Sequence, residues 1–518
     1  MTPAETPLRY TGQAPPPRFN LAGYCLGRGA AQTPEKTALV VIADAEAPLE
    51  AAEHWSYGAL DLAARRVASG LLALGIAPGE RLMIRLPNAS DYALLFFGAI
   101  AAGIVPLPVS PQLTAAEVDF LLADSGAAAV ALAGGLPAPA AQSRSVRILD
   151  APAIAALKTA EPLPAYADTA AEDPGFLIYT SGTSRQPKGV LHAQRSAWGR
   201  RPMYEGWSAM GPADIVLHAG SFNWSYTLGV GLTDPWANGA TAVLYVGPKD
   251  IQVWPKLIER SRATLFAAVP SLYRQMLKYC PLAPAELASL RHGLAAGEAL
   301  PPALLAEWRR RTGREIYEAL GMSECSTYVS TFPGMAIKPG SPGKPQPGRT
   351  IAVLPVEGGE APLPAGETGL LAIHREDPGL MLGYWRRPEE EKLVYRGEWF
   401  VGGDLAAFDD EGYLWYHGRA DDLMNAGGYR VSPAEVEAAL ADHPAIAEVA
   451  VAEHAVRPDV SVIAAFVVPG PGAPKDAASI LAHAESRLAA YKRPREVIFL
   501  DSLPRTANGK LLRRALGR

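Results

Sequence analysis

Strand-length apolar runs alternate with longer runs that carry apolar residues at helical spacing, and this alternation restricts the chain to an α/β fold. Residues 60–74 (LDLAARRVASGLLAL) have the helical period, and residues 81–86 (RLMIRL) follow as a strand. A similar rhythm returns at 241–246 (TAVLYV), 253–260 (VWPKLIER), 264–269 (TLFAAV) and 271–279 (SLYRQMLKY). Glycine and proline, 49 and 47 in number, punctuate nearly every joint. The most apolar stretch, 92–109 (YALLFFGAIAAGIVPLPV), is interrupted by Gly98, Gly103, Pro106 and Pro108. It reads as a buried helix, a turn and a short inner strand, because a membrane span needs about 20 apolar residues and this run breaks first.

At 518 residues the chain is too long for one compact core, so a large N-terminal part and a smaller C-terminal domain are expected. From about residue 340 the texture changes to short segments with close turns (GSPGKPQPG, LPAGETGLLAI, DDEGYLWYHG), the mark of small β-structure. After Asp421 comes a compact α/β pattern: a helix at 432–441, strands near 446–452 and 461–468, and a helix at 477–490. Ser432, Pro433 and Glu435 offer that first helix an N-cap, a first-turn proline and a capping-box acid. The boundary falls near 419–421, which gives domains 1–420 and 421–518.

Charge and cysteine content exclude several classes. With 48 basic and 53 acidic side chains the formal charge is −5, against the basic excess of a nucleic-acid binder. Cys25, Cys280 and Cys325 are far apart and odd in number, which suits a reducing cytoplasm and predicts neither disulfides nor a zinc site. The polar, proline-rich N-terminus lacks the apolar core of a signal peptide. His192, His218 and His417 lack metal-ligand spacing and read as structural residues. No GxSxG elbow is present, so a hydrolase has no support.

The strongest local signal is 179–190, YTSGTSRQPKGV. After the apolar strand FLIYT, a loop of Thr180, Ser181, Gly182, Thr183 and Ser184 can present N–H and O–H donors to phosphate oxygens, and Lys188 adds a positive charge. The spacing is not that of the GxxxxGK[ST] P-loop.

This segment resembles the phosphate-binding loop of the adenylate-forming superfamily: acyl- and aryl-CoA ligases, luciferases and peptide-synthetase adenylation domains. Six further segments resemble that family in the same order. They are 317–324 (YEALGMSE), 340–348 (GSPGKPQPG), 402–404 (GGD), 418–422 (GRADD), 427–435 (GGYRVSPAE) and 503–510 (LPRTANGK). The whole pattern looks most like benzoate–CoA ligases. The resemblance implies a large N-terminal α/β domain, with two helix-packed sheets and a small β-barrel, and a small mobile C-terminal α+β domain.

It also implies ATP, Mg²⁺ and coenzyme A as reactants, and an acyl-adenylate on the way to a thioester. Adenylation sets a carboxylate beside the α-phosphate of ATP, so fixed cations and donors aimed at the growing charge are the main catalytic resource. By resemblance Lys510 bridges the two anions. Glu324, with Thr183, holds Mg²⁺, a hard cation commonly shared between a carboxylate and substrate phosphates. Asp404 and Arg419 look like the pair that holds the ribose. The nucleotide pocket takes Gly297, Glu298, Glu318, Ala319, Leu320 and Ser323. Leu320 stands where many relatives carry tyrosine, and Arg185 where a glycine is common.

Asp421 resembles the hinge of the small domain, and Gly427 and Gly428 the strand presented to the thiol substrate. Lys492 and Arg493 are either coenzyme A contacts or solvated charges. The acid site is read from 221–229 (SFNWSYTLG), with Asn223 where amino-acid-activating relatives carry an aspartate for the substrate ammonium. Trp224 and Tyr226 offer flat apolar surface, and Ala296 and Gly321, with Ala295 and Gly297, leave room for a ring. The expected substrate is a compact apolar acid without an α-amino group. A carrier protein in trans, or a short or medium-chain acid, are the alternatives. The expected protein is a cytoplasmic monomer or homodimer that engages neither membrane nor nucleic acid.

Overall fold

The computed structural model describes residues 13–139, 146–180, 187–422, 424–426, 429–457, 460–505 and 511–516. The expected alternation is present. Ser56 caps the helix Tyr57–Ala73 by accepting from the Ala59 N–H at 3.2 Å, and the helix buries Leu60, Ala64, Val67 and Leu71 along one stripe. The strand Arg81–Arg85 follows. The apolar stretch forms the helix Ser90–Ala101, buried all round, then a turn and the buried strand Val105–Pro108. Among the described residues no helix is long and apolar enough to cross a membrane.

Packing divides the chain into two compact units, residues 1–350 with 374–395, and residues 351–373 with 396–518. The first is built on a nine-stranded sheet. Its strands lie in the order Lys344–Pro345, Ser326–Ser330, Ile316–Met322, His292–Ala296, Leu265–Ala268, Ile215–His218, Thr241–Tyr245, Thr37–Ile42 and Glu53–Ser56. The six from Ile316–Met322 to Thr37–Ile42 are parallel, with antiparallel strands at both edges. A parallel sheet buried on both faces calls for strands without a polar side. The strand Thr37–Ile42 shows this: Leu39 and Val41 enter one apolar cluster, and Val40 and Ile42 the other. A four-stranded parallel sheet (Val105–Pro108, Arg81–Arg85, Ala129–Leu132, Arg147–Leu149) and a three-stranded one (Gly383–Tyr384, Lys188–Ala193, Pro174–Thr180) complete this unit.

In the second unit five strands between 351 and 419 form one sheet, with Ile351–Leu354 antiparallel to Gly369–His374 and Trp399–Phe408 antiparallel to Leu414–Arg419, the small β-structure read from the turn-rich sequence. By packing, this sheet belongs with the residues that follow it, whereas the sequence reading placed it in a part ending at 420. Strands Ile446–Arg457 and Val460–Pro469 pair antiparallel, and Glu496–Phe499 joins the latter in parallel. Helices Pro433–Leu440 and Ala477–Arg487 close one face over Val451, Ile463, Ala465 and Val467.

The capping box expected at residue 432 is not formed. The Ser432 hydroxyl donates to the His417 carbonyl, and Glu435 pairs with Lys492. Both capping groups are drawn to partners outside the helix, so the proline at its first position is the part of that start signal that holds.

Candidate functional site

Register sets the carboxyl ends of the parallel strands side by side. Ala267 lies opposite His218, Ala268 opposite Ala295, and Ala296 opposite Ala319. In open α/β sheets this is the edge where ligands bind, because loops leaving neighbouring strands diverge there and open a crevice. The chain leaves Ile215–His218 through Asn223 and Trp224, both half-buried, into the short helix Ser225–Leu228. Tyr226 extends its hydroxyl toward the Leu294 carbonyl at 3.2 Å and the Ala268 carbonyl at 3.4 Å, which lays its ring across two strand ends. His218 packs edge-on against that ring at 4.6 Å. Burial holds this imidazole neutral, its pKa lowered to about 3, and Nδ1 accepts from the Gly220 N–H at 2.9 Å.

Across the edge, Gly297 adopts φ +91°, which only glycine takes without strain, and a side chain there would lie 4.0 Å from the Trp224 ring. The structure thus brings Trp224, Tyr226, Ala296 and Gly297 together. Glu298 turns away, its carboxylate accepting from the Ser271 N–H at 3.3 Å at the start of the helix Pro270–Tyr279. Glu318 is directed into the core, its carboxylate accepting from the Leu300 N–H at 2.8 Å and its backbone N–H and carbonyl both bonded to Thr331. Burial raises its pKa to about 7. Ala319 is buried, Leu320 half-buried and Gly321 exposed, which places the strand's end at the surface. A side chain at Gly321 would meet the Ser326 carbonyl at 2.5 Å, so glycine permits the crossing of the two hairpin strands.

Those strands, Ile316–Met322 and Ser326–Ser330, are joined by a three-residue loop of Ser323, Glu324 and Cys325. Two carbonyls of this loop are taken. Ser323 O accepts from His192 Nε2 at 2.8 Å, and Glu324 O from the Met381 N–H at 2.7 Å. Behind it the Arg349–Asp377 ion pair is almost wholly buried, with Cys325 beside it. At the apex, Glu324 Oε1 accepts from the Tyr384 hydroxyl at 2.8 Å, and Oε2 has no protein hydrogen-bond partner among the described residues.

Lys188 opens the strand that pairs with Pro174–Thr180, Thr180 lying opposite it. Its ammonium is paired with Glu390 and lies 5.4 Å from the centre of the Tyr384 ring. The sequence reading had missed Tyr384 and Glu390 and had treated His192 as ordinary structure. The ring-and-acid pattern of 383–391 (GYWRRPEEE) was the available signal, but nothing in it names Lys188 or Glu324 as partners.

Among the described residues no group of three or more His, Cys, Asp or Glu side chains could hold a metal ion. Mg²⁺ typically takes one or two carboxylates and fills its remaining positions with water and substrate phosphates. Glu324, with one oxygen unpaired, is suited to this.

In the second unit Asp404 and Arg419 are cross-strand partners, 3.6 Å apart. Tyr416 donates to Asp404 at 3.1 Å, and Arg419 to the Gly402 carbonyl at 2.6 Å. Asp421 lies in the single turn Ala420–Asp422, and strands Met424–Ala426 and Tyr429–Val431 pair antiparallel. Lys492 pairs with Glu435, and Arg493 with Glu485, so neither is an uncommitted charge. Ser181, Gly182, Thr183, Ser184, Arg185, Gly427, Gly428 and Lys510 lie outside the described residues.

Comparison with known proteins gives concordant matches. The profile of AMP-binding enzymes matches residues 26–385, and that of the AMP-binding enzyme C-terminal domain matches 435–510. The benzoate–CoA ligase of Thauera aromatica is 33% identical over 518 residues, covering 96% of this chain and 95% of its own. The mitochondrial acyl-coenzyme A synthetase ACSM5 of Homo sapiens is 32% identical over 492 residues, covering 89% and 83%. A benzoate CoA ligase structure from Burkholderia xenovorans LB400 superposes with a TM-score of 0.86 at 30% identity, covering 96% of this chain and all of that one.

Proposed function

The chain belongs to the family of AMP-binding enzymes, and on that premise we propose that its substrate is a compact apolar carboxylic acid, aryl or alicyclic. It is an AMP-forming acid–thiol ligase that uses ATP and coenzyme A. In the first half-reaction a carboxylate oxygen attacks the α-phosphorus and pyrophosphate leaves. In the second the thiolate of coenzyme A attacks the acyl carbon and AMP leaves, keeping one oxygen of the acid.

This chain's residues divide that work. Lys188 and the donors of 180–184 hold phosphate oxygens, Asp404 and Arg419 hold the ribose, and the backbone of Gly297 and 318–320 walls the base. Lys510 bridges carboxylate and α-phosphate, where one fixed donor to developing charge is worth on the order of 10²–10³ in rate. Mg²⁺, when held by Glu324 and Thr183, supplies charge neutralisation at the phosphates. Asp421 is the pivot, and Gly427 and Gly428 face the thiol in the second half-reaction, so one pocket serves two geometries in turn. The boundary between 420 and 421 belongs to the same proposal.

The observation that carries the substrate reading is Trp224 and Tyr226 set at the strand-end edge opposite Gly297, with neutral Asn223 between strand and helix. Flat apolar walls suit a ring, and a neutral amide cannot supply the charge an ammonium needs. Catalytic efficiencies for benzoate, cyclohexanecarboxylate, isobutyrate, octanoate, acetate and an amino acid test it. Preference for either ring acid is expected; preference for acetate or the amino acid overturns the reading. Efficiency highest with octanoate would make the protein a medium-chain acyl-CoA synthetase, and acyl transfer only to a carrier protein would change the acceptor. Three buried free cysteines support a reducing cytoplasm as the compartment, and a monomer or homodimer is proposed with it.

A further inference from the structure

His192 sits four residues after Lys188 on the strand Lys188–Ala193 and is buried against Phe176, whose ring stacks on it at 4.5 Å with an interplanar angle of 17°. Its Nε2 is 2.8 Å from the Ser323 carbonyl. A carbonyl only accepts, so Nε2 carries the proton and Nδ1 is bare. Among the described residues Nδ1 has no hydrogen-bond partner, and neither does the Ser196 hydroxyl; both residues line a cavity of about 30 Å³ together with Ser225, Ser323 and Ser326. The cavity is mainly apolar, with these polar groups set in its wall, and is large enough for water. The imidazole is therefore committed on one nitrogen to the hairpin loop and is held in plane by a ring.

We infer that His192 is a positioning residue that fixes the Glu324 loop relative to the strand carrying Lys188, and so sets the affinity for a divalent cation with its nucleotide while touching neither. The inference rests on the reading of Glu324 as the carboxylate that takes the cation. Its physical basis is the loop itself. Three residues span the hairpin, and the backbone of the second is tied by Met381. Without the His192 donor the Ser323 carbonyl is left buried and unpaired, and the loop must shift to find a partner. Of the acid-site residues, Trp224, Tyr226 and Gly297 lie on other elements, and the Tyr226 hydroxyl is directed to the Leu294 and Ala268 carbonyls rather than to this ring.

Two substitutions separate the donor from the ring. His192→Leu keeps volume and removes the donor, whereas His192→Gln places an amide N–H where Nε2 stood. Binding of Mn²⁺ with α,β-methylene-ATP to the full chain, read from the spin-resonance signal of free Mn²⁺, measures the pair without turnover. Loss of a second-sphere partner typically weakens metal affinity 10–100-fold, and a loss of about tenfold is expected for His192→Leu, with recovery to within about threefold for His192→Gln. KM for the acid should stay within about twofold, a split that general loosening of the fold would not give.

Should His192→Leu fail to fold, as judged by its melting transition, His192→Asn takes its place, since the shorter amide cannot reach Ser323. Wild-type affinity in the donor-less variant, or equal loss in the leucine and glutamine variants, overturns the inference. Glu324→Gln is measured alongside. If it retains full Mn²⁺ affinity, the reading of Glu324 fails and the inference with it; if it alone loses affinity, only the role of His192 fails.

Discussion

Glu324 owes its placement to neighbours distant in sequence, and among the described residues the Tyr384 hydroxyl bonds its carboxylate. A hydroxyl bonded to a charged acceptor contributes about 1.5–3 kcal/mol, so Tyr384→Phe should raise the Mg²⁺ concentration for half-maximal rate about tenfold or more. The check is a Mg²⁺ titration at saturating ATP and acid, and an unchanged midpoint would detach Tyr384 from the cation. Asn223 tests the other end of the site. An Asn223→Asp carboxylate about 6–8 Å from the substrate anion repels it by about 2–3 kcal/mol at an effective dielectric of 20, which lowers kcat/KM for benzoate on the order of 10–100-fold. Phenylalanine should be spared that loss, because its ammonium pairs with the new charge. Equal losses for both acids would place Asn223 away from the substrate.

Strands and helices carry the site by their ends, and one of them carries a pH dependence. Glu318 is buried on the strand Ile316–Met322, and desolvation raises its pKa to about 7 from the ordinary 4.5. The folded protein holds that proton more tightly than the unfolded chain. Its contribution to stability is therefore complete below about pH 4.5 and is lost as pH rises to about 7. Glu318→Gln keeps the acceptor for Leu300 and cannot ionise, so its unfolding free energy from denaturant titration should exceed that of the wild type at pH 8, by on the order of 1–3 kcal/mol, and approach it near pH 5. A wild-type advantage at pH 8 would contradict this. Elements of this kind were largely readable beforehand. The buried helix and strand within 92–109 are read from their apolarity, with glycine and proline at the joint. What could not be read is what side chains meet across the fold. Glu390 lies 202 residues from its partner Lys188, and His192 bonds a backbone carbonyl, which leaves no trace in side-chain pattern. The Ser432 cap failed for the same reason, since the His417 carbonyl competes for its hydroxyl.

Two half-reactions in one chain require that some residues serve only one of them. Lys510→Ala should abolish pyrophosphate exchange, a loss of at least about 10², yet leave thioester formation from pre-formed acyl-adenylate largely intact. Asp421→Pro should do the reverse, because proline fixes φ at the proposed pivot and hinders the change between the two geometries. Rapid-quench measurement of each step decides, and equal losses in both steps for either variant would remove the division of labour. Beneath these variants lies the acyl-adenylate itself, whose formation leaves one carboxylate oxygen on AMP. The decisive measurement uses the best acid of the substrate panel, labelled with ¹⁸O in both carboxylate oxygens, in a single turnover with ATP and coenzyme A, followed by mass spectrometry of the nucleotide, pyrophosphate and thioester. One ¹⁸O in AMP, one in the thioester carbonyl and none in pyrophosphate is the expected result; unlabelled AMP, or label in released phosphate, would contradict an adenylate route.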